Sequence, residues 1–294
     1  MADYVQMWKD LGMDLETHDL LCQVLPTAVG DVYLSQDNRP KAMDFWDLVI
    51  SEVHGIRPAE LIAAQKEGRK VFGTFCVYVP DEVVVAAKGI VTGLCGGSQF
   101  WVPSGEAALP KSMCPLVKAS VGARLGKTCP FFRIADMYVG ETTCDGKKKA
   151  YEILGEDVPM HIMDVPQLKR EKDIIKWKEE IKDFAKVVEE FTGNEITAEN
   201  LAESIKIHNE KRKALQRVYD CRKSECLREP QKRRRRFSAP ARRPDGCTSE
   251  RSGRDHRRRR SGSSAERHGR RWAGTRTYGS HKHAAEPCAS RCGS

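Results

Sequence analysis

The chain has 294 residues and a formal net charge of +9, but its basic residues are concentrated at one end. Residues 224–294 contain 20 Lys and Arg against 7 Asp and Glu, whereas residues 1–223 contain 30 against 34. The overall charge therefore gives no reason to expect specific nucleic-acid binding by residues 1–223. No apolar run is long enough to span a membrane, and the N-terminus lacks the basic and apolar regions of a signal peptide, so we expect a cytoplasmic protein.

Residues 1–70 have the pattern of a helical N-terminal segment. In DFWDLVISEVHGI, Phe45, Leu48, Val49 and Val53 share one face at helical spacing. A second helix, PAELIAAQKEG, starts with a proline and ends at Gly68.

Residues 71–167 alternate between strand and helix patterns. The run VFGTFCVYVP is short, aromatic and β-branched, which predicts a buried strand over 71–79. The segments DEVVVAAKG and GKKKAYEILG predict helices, while GIVTGLCGG, IADMYVGETTCDG and VPMHIMDVP predict three more strands. This alternation predicts an α/β domain with a mainly parallel sheet of the Rossmann or flavodoxin type.

Residues 168–223 have the pattern of a connector made of two long helices. The first has an apolar stripe and ends at Gly193-Asn194, and Thr197 is a suitable N-cap for the second, over about 198–222. The stripe consists of Ile174, Trp177, Ile181, Phe184, Val188 and Phe191.

Residues 224–294 differ sharply in composition from the rest of the chain. They contain one leucine, 18 arginines and no Ile, Val, Met or Asn, so we expect this tail to be disordered. One interpretation is an arginine-rich arm that binds RNA or DNA phosphates. We favour an out-of-frame translation, because the composition changes abruptly after Lys223 and not after a finished domain. In that case the four cysteines of the tail have no role.

Five cysteines lie near predicted strand ends and turns, where their thiols could converge. A single free cysteine can be merely a small buried apolar residue, and a reducing cytoplasm disfavours disulfides. Converging thiolates indicate zinc or an iron–sulfur cluster, and the lack of CxxC pairs between them favours iron–sulfur. The five are Cys76, Cys95, Cys114, Cys129 and Cys144.

Glycines and lysines accompany these cysteines. Gly96, Gly97 and Gly146 would let the backbone approach a cluster and leave N–H groups free for inorganic sulfide. Lys147 and the two lysines after it lie in the first turn of a predicted helix, where the helix dipole disfavours cations. They form either a solvated basic patch, a compensation for an anionic cluster or a docking surface.

No catalytic residue is indicated by the sequence. His161 is a lone histidine in a predicted strand, and no acid–base pair stands out. The segment Gly122 to Thr128 has three residues between its glycines where a Walker A loop needs four, so we expect it to end a helix.

The segments GTFCVYVPDEVVVAAKG, CPLVKASVG and GETTCDGKKKAYE resemble the 2-hydroxyacyl-CoA dehydratase and benzoyl-CoA reductase family over roughly residues 1–223. The resemblance implies that Cys76, Cys114 and Cys144 hold a [4Fe–4S] cluster. With Cys95 and Cys129 added, the chain looks like the branch of double-cubane cluster proteins, in which six cysteines of one subunit hold two cubanes. The sixth cysteine belongs to a second α/β domain that this sequence lacks.

The resemblance also implies a function and partners. We expect an oxygen-sensitive homodimer that a separate ATP-hydrolysing iron–sulfur activator reduces. The first hypothesis is a low-potential reductase of small molecules at a double-cubane cluster, since five cysteines are present and not three. The alternatives are a subunit that dehydrates (R)-2-hydroxyacyl-CoA through a ketyl radical, and nucleic-acid binding through the tail. The sequence does not indicate the substrate.

Overall fold

The computed structural model describes residues 4–37, 39–94, 96–221 and 223. Cys95 and the predicted disorder of residues 224–294 lie outside these residues. The strands are β1 (Val71–Thr74), β2 (Ile90–Gly93), β3 (Met137–Glu141) and β4 (Met160–Met163). The helices are α1 (Val5–Asp10), α2 (Leu15–Val29), α3 (Asp44–Ser51), α4 (Ile56–Lys66), α5 (Asp81–Ala86), α6 (Val102–Gly105), α7 (Pro115–Leu125), α8 (Pro130–Ile134), α9 (Asp145–Leu154), α10 (Glu171–Thr192) and α11 (Ala198–Cys221).

The four strands form one parallel sheet in the order β2-β1-β3-β4. Phe72 of β1 is opposite Met137 of β3, and Tyr138 of β3 is opposite Met160 of β4. Because all the strands run in one direction, their carboxyl ends meet at one edge of the sheet. The predicted α/β fold class with a parallel sheet is therefore confirmed.

Helices cover both faces of the sheet. On one face, α4, α7, α8 and α9 pack over a core that includes Val71 and Tyr138. On the other face, α5 and α10 pack over Phe72 and Val139. Phe184 and Val188 of the predicted α10 stripe are fully buried here. Since neighbouring residues of a strand point to opposite faces, both faces of these strands must be apolar, as their sequences are.

The predicted strands are longer than the observed ones, and the difference at β1 and β3 decides where two of the cysteines lie. β1 ends at Thr74, not at residue 79, because the chain turns there: the Val79 N–H donates to the Cys76 carbonyl at 3.4 Å, and Val77 is 94% exposed. β3 ends at Glu141, three residues before Cys144. Both cysteines therefore lie in the segments that follow their strands.

The N-terminal helices α1 to α4 lie next to the α/β domain, to which long-range hydrogen bonds attach them. Arg133 Nε donates to the Leu11 carbonyl at 2.7 Å, and the Asp14 N–H donates to the Lys127 carbonyl at 3.0 Å. The apolar face predicted for α3 is solvent-exposed, with Phe45 at 63%. Spacing alone indicates that such residues share a face, but not that anything covers it. No helix within the described ranges combines the length and apolarity needed to cross a bilayer.

Candidate functional site

Two of the predicted cysteines follow neighbouring strands at the carboxyl edge of the sheet. Cys76 comes two residues after β1 and is half-buried, while Cys144 comes three residues after β3 and is exposed. Since β1 pairs directly with β3, both segments leave the same edge side by side. Cys144 is also the N-cap of α9, and its Sγ accepts a hydrogen bond from the Lys147 backbone N–H at 3.4 Å.

Cys114 reaches the same region through the packing of α7 against α9. It is exposed and occupies the N-cap position of α7, with Pro115 as the first helical residue. A Cβ atom on Gly146 would lie 2.9 Å from Sδ of Met113. The residue before Cys114 therefore contacts the first turn of α9, and glycine at position 146 permits that close approach.

A small cavity of about 40 Å³ lies between these segments. Its lining includes Phe75, Leu116 and Lys147, so a residue within three positions of each of Cys76, Cys114 and Cys144 borders the same space. The lining residues are Phe75, Leu116, Val117, Ser120, Lys147, Ala150, Tyr151 and Leu154.

Lys147 differs from the two lysines that follow it. Its side chain is 19% exposed and pairs with Glu141, whose own side chain is fully buried. The Glu141 carboxylate also accepts hydrogen bonds from Thr143 Oγ1 at 3.1 Å and from the Tyr151 hydroxyl at 3.3 Å. Burial raises the pKa of the Tyr151 phenol above its usual range, so the hydroxyl remains a donor. The carboxyl end of β3 is thus tied to the first two turns of α9.

The other two lysines form exposed ion pairs within α9. Lys148 Nζ lies 3.3 Å from an Asp145 carboxylate oxygen, and Lys149 Nζ lies 2.9 Å from one of Glu152. All three lysines therefore have carboxylate partners within the chain, and only Lys147 lines the cavity.

Cys129 is placed apart from the other three cysteines. It is 6% exposed and caps α8, beyond the opposite end of α7 from Cys114. The 11 residues of α7 extend about 16 Å. Burial raises the pKa of the Cys129 thiol to about 11. The residues before a strand and the residues after it lie at opposite edges of the sheet. Cys129 precedes β3 and Cys144 follows it, so the order of elements alone already indicates that these two cysteines lie apart.

The predicted site glycines have different surroundings. Gly96 has a φ of +56°, and a Cβ atom there would lie 3.0 Å from the Ala119 carbonyl oxygen in α7. At Gly97, no atom of the described residues lies within 4 Å of the Cβ position. Gly96 is therefore required by its backbone conformation and its contact with α7, while Gly97 faces open space.

The three cysteines at the carboxyl edge fit an iron–sulfur cluster by the chemistry of their side chains. Within the described part of the chain, no three His, Cys, Asp or Glu side chains are close enough together to hold one metal ion. A four-iron cluster is wider than one ion, and its thiolates bind different iron atoms, so they stand farther apart. Cys114 and Cys144 both occupy N-cap positions of helices, where the backbone N–H groups favour an anion, and the Cys144 thiol accepts a hydrogen bond from one of them.

Glu141 and Tyr151 were not predicted as site residues. A signal for Glu141 is present in the sequence, since it is the one charged residue of a strand whose other residues are uncharged. A carboxylate in that position needs a cation or hydrogen-bond donors nearby. No sequence pattern identifies Tyr151 as its partner, because the contact depends on how α9 packs against β3.

Comparisons with known proteins agree with the resemblance seen in the sequence. Residues 76–230 match the model of the family described as 2-hydroxyglutaryl-CoA dehydratase, D-component. A putative dehydratase subunit of Escherichia coli (strain K12), YjiM, is 40% identical over 158 residues, which are 53% of this chain and 41% of that protein. One of the subunits of the benzoyl-CoA reductase of Thauera aromatica is 29% identical over 168 residues, or 55% of this chain and 42% of that protein.

The chain thus spans about two fifths of the length of these curated relatives. The predicted membership of the dehydratase and reductase family is confirmed. Because the family model covers more than half of the residues, the chain belongs to the family of the 2-hydroxyglutaryl-CoA dehydratase D-component.

Proposed function

We propose that this chain holds a [4Fe–4S] cluster through Cys76, Cys114 and Cys144 and serves as the cluster-binding part of an enzyme that dehydrates or reduces an acyl-CoA thioester. The main support is that the stretches beside these three cysteines border one cavity at the carboxyl edge of the sheet. The family supports the chemistry, since two relatives are named as a dehydratase subunit and a benzoyl-CoA reductase subunit.

The residues of the chain prepare this edge for an anionic group. The N-termini of α7 and α9 both begin at a cysteine, so the positive ends of two helix dipoles favour thiolates there. The pair between Glu141 and Lys147 fixes the first turn of α9 and thereby the position of Cys144. When bound, the cluster would supply single electrons at low potential to the substrate.

We propose that a separate ATP-hydrolysing activator supplies these electrons to a homodimer in the cytoplasm. The chain's one near-match to a phosphate-binding loop supports this division of roles. Gly122 lies inside α7, and Gly126 is its C-cap, so the segment forms the end of a helix and not a loop around a phosphate. Thiolate ligands also require a reducing compartment.

The double-cubane reductase is the second candidate function. Five cysteines favour it in the sequence, but Cys129, one of the four of them that the structure describes, is buried away from the carboxyl edge. That placement favours a single cluster on three cysteines. The low-potential reductase would need Cys129 to reach the other thiols.

Anaerobic reconstitution of the full chain with iron and sulfide tests the proposal. We expect about four irons and four sulfides per cluster-loaded chain, together with a charge-transfer absorption that dithionite bleaches. About eight irons would favour the double-cubane alternative. Zinc bound without sulfide, or no bound metal, would contradict both.

A further inference from the structure

A second cavity, of about 410 Å³, lies among the N-terminal helices. Its apolar walls include Trp8 of α1 and Leu25 and Val29 of α2, and its remaining side is formed by the turn before α4, around Glu52 and His54. All these residues precede the segment that the family model matches, 76–230. None of the described residues that line it also lines the cavity at the cysteine edge, so a ligand bound in it would be independent of the proposed function.

Cys22 and His54 form a polar end of this cavity, and both contact His18, which is not itself one of the lining residues. His18 is fully buried, and its Nε2 is hydrogen-bonded to Nδ1 of His54 at 2.9 Å. Cys22 Sγ lies 3.6 Å from the same His18 nitrogen, one helical turn along α2. Trp8 holds the pair in place, because its indole N–H donates to the His54 carbonyl at 2.8 Å and its ring contacts the His18 ring edge-on at 4.4 Å between centroids.

The charges around the cavity disfavour an anionic ligand. Among the described residues that line the cavity, Glu52 is the one charged side chain, and none is a lysine or an arginine. Asp19 adds a second negative charge near His18 and Cys22. Burial lowers the pKa of both imidazoles, that of His54 to about 4, so both rings are neutral at pH 7 and offer no positive charge.

We propose that this cavity binds a neutral aromatic molecule that carries a hydroxyl or carbonyl group. The volume lies in the range of small-molecule sites, and the combination of apolar walls with a few convergent polar groups is typical of them. The aromatic part would pack between Trp8 and the aliphatic side chains of Leu25 and Val29. The polar group would hydrogen-bond at the end formed by Cys22 and His54, where imidazole nitrogen and thiol can each donate or accept.

Binding of 2-naphthol and of 2-naphthoate to the full chain at pH 7 tests this directly. The two probes share the ring system, but only the second is charged. By isothermal titration we expect 2-naphthol to bind saturably to one site, and 2-naphthoate to bind at least about tenfold more weakly, because its carboxylate would be buried near Glu52. Absence of saturable 2-naphthol binding, or tighter binding of the carboxylate, would overturn the proposal.

Two tryptophan substitutions locate the site. Val29→Trp fills the cavity and should abolish 2-naphthol binding, whereas Val24→Trp places the same bulk on an exposed, non-lining position of α2 and should leave it intact. If both variants bind alike, the proposal fails.

A readout on the unsubstituted protein covers the case in which Val29→Trp does not fold. With ¹⁵N-labelled tryptophan, 2-naphthol should shift the indole N–H resonance of Trp8, assigned through Trp8→Phe, more than that of Trp177 beside α5. A larger shift at Trp177, or equal shifts at both, would overturn the assignment.

Discussion

The ammonium group of Lys147 pairs with the carboxylate of Glu141, which lies at the end of a central strand and is completely buried. A lysine in the first turn of a helix is disfavoured by the helix dipole. Here the buried carboxylate of Glu141 offsets that effect and holds the side chain of Lys147, which forms part of the cavity wall. The pair therefore connects the sheet with the turn that positions Cys144.

Removing the cation should destabilise the fold. Lys147→Met leaves the Glu141 carboxylate buried without its partner, and we expect a loss of about 3 kcal/mol in the free energy of unfolding. Lys149→Met is the matched control, because its pair with Glu152 is exposed on both sides and should contribute less than about 1 kcal/mol. Urea unfolding of the two variants measures the difference, and equal losses would show that the Glu141 pair has no special role.

The packing of α6 against α7 should not tolerate a side chain at Gly122. A Cβ atom there would fall far inside the contact distance of the Trp101 carbonyl oxygen, and a backbone atom cannot rotate away. We expect Gly122→Ala to cost about 1–3 kcal/mol of stability. Gly30→Ala is the control, since nothing lies within 4 Å of its Cβ position and alanine is the better helix former. Thermal unfolding should rank the control at or above the unsubstituted protein, and a tolerated Gly122→Ala would contradict the packing.

Thiol reactivity should separate the cysteines in the metal-free protein. Cys114 and Cys144 are exposed, whereas Cys129 is 6% exposed. Since alkylation needs an accessible thiolate, we expect iodoacetamide at pH 8 to modify Cys129 more than about tenfold more slowly than the other two. Mass spectrometry of timed digests measures the rates, and denaturant should make them similar. Equal rates in the native protein would contradict the burial of Cys129.

Acidification should weaken the N-terminal segment through its histidine pair. The pKa of His54 is lowered to about 4 in the folded protein by burial and by the neighbouring His18, and the pKa of His18 is lowered by burial. The unfolded chain therefore binds more protons between about pH 6.5 and 4, so stability is full above that window and is lost as the pH falls through it.

We expect the unfolding free energy to fall by about 2–3 kcal/mol from this source between pH 7 and 4. The His54→Gln variant lacks the titrating group and should show a shallower dependence in urea unfolding at a series of pH values. Identical slopes for the variant and the unsubstituted chain would contradict the lowered pKa.

The sheet could be predicted from the sequence because strand and helix patterns alternate along residues 71–167. The end of β1 could not, since the apolar run continues through Phe75 and Val79 after the chain has left the sheet. The apolar run does not show where the chain turns: β2 stops opposite Thr74 and a turn follows at Cys76, although β3 continues to Glu141.

The candidate site could be predicted only in part. Residues that follow parallel strands share an edge, which brings Cys76 and Cys144 together from sequence order alone. The N-terminal cavity could not be foreseen, because His18 and His54 are 36 residues apart and no periodic pattern joins them. Such contacts come from the packing of helices that individually have ordinary sequences.

The most direct test of the central claim is the iron and sulfide content of four cysteine-to-serine variants after anaerobic reconstitution. We expect Cys76→Ser, Cys114→Ser and Cys144→Ser each to lose most of the bound iron and sulfide, because each removes one of the three proposed cluster ligands. Cys129→Ser should retain the iron and sulfide content of the unsubstituted chain. Circular dichroism checks that this variant and the unsubstituted chain are both folded. Full retention of iron and sulfide by Cys144→Ser, or loss only in Cys129→Ser, would contradict the account.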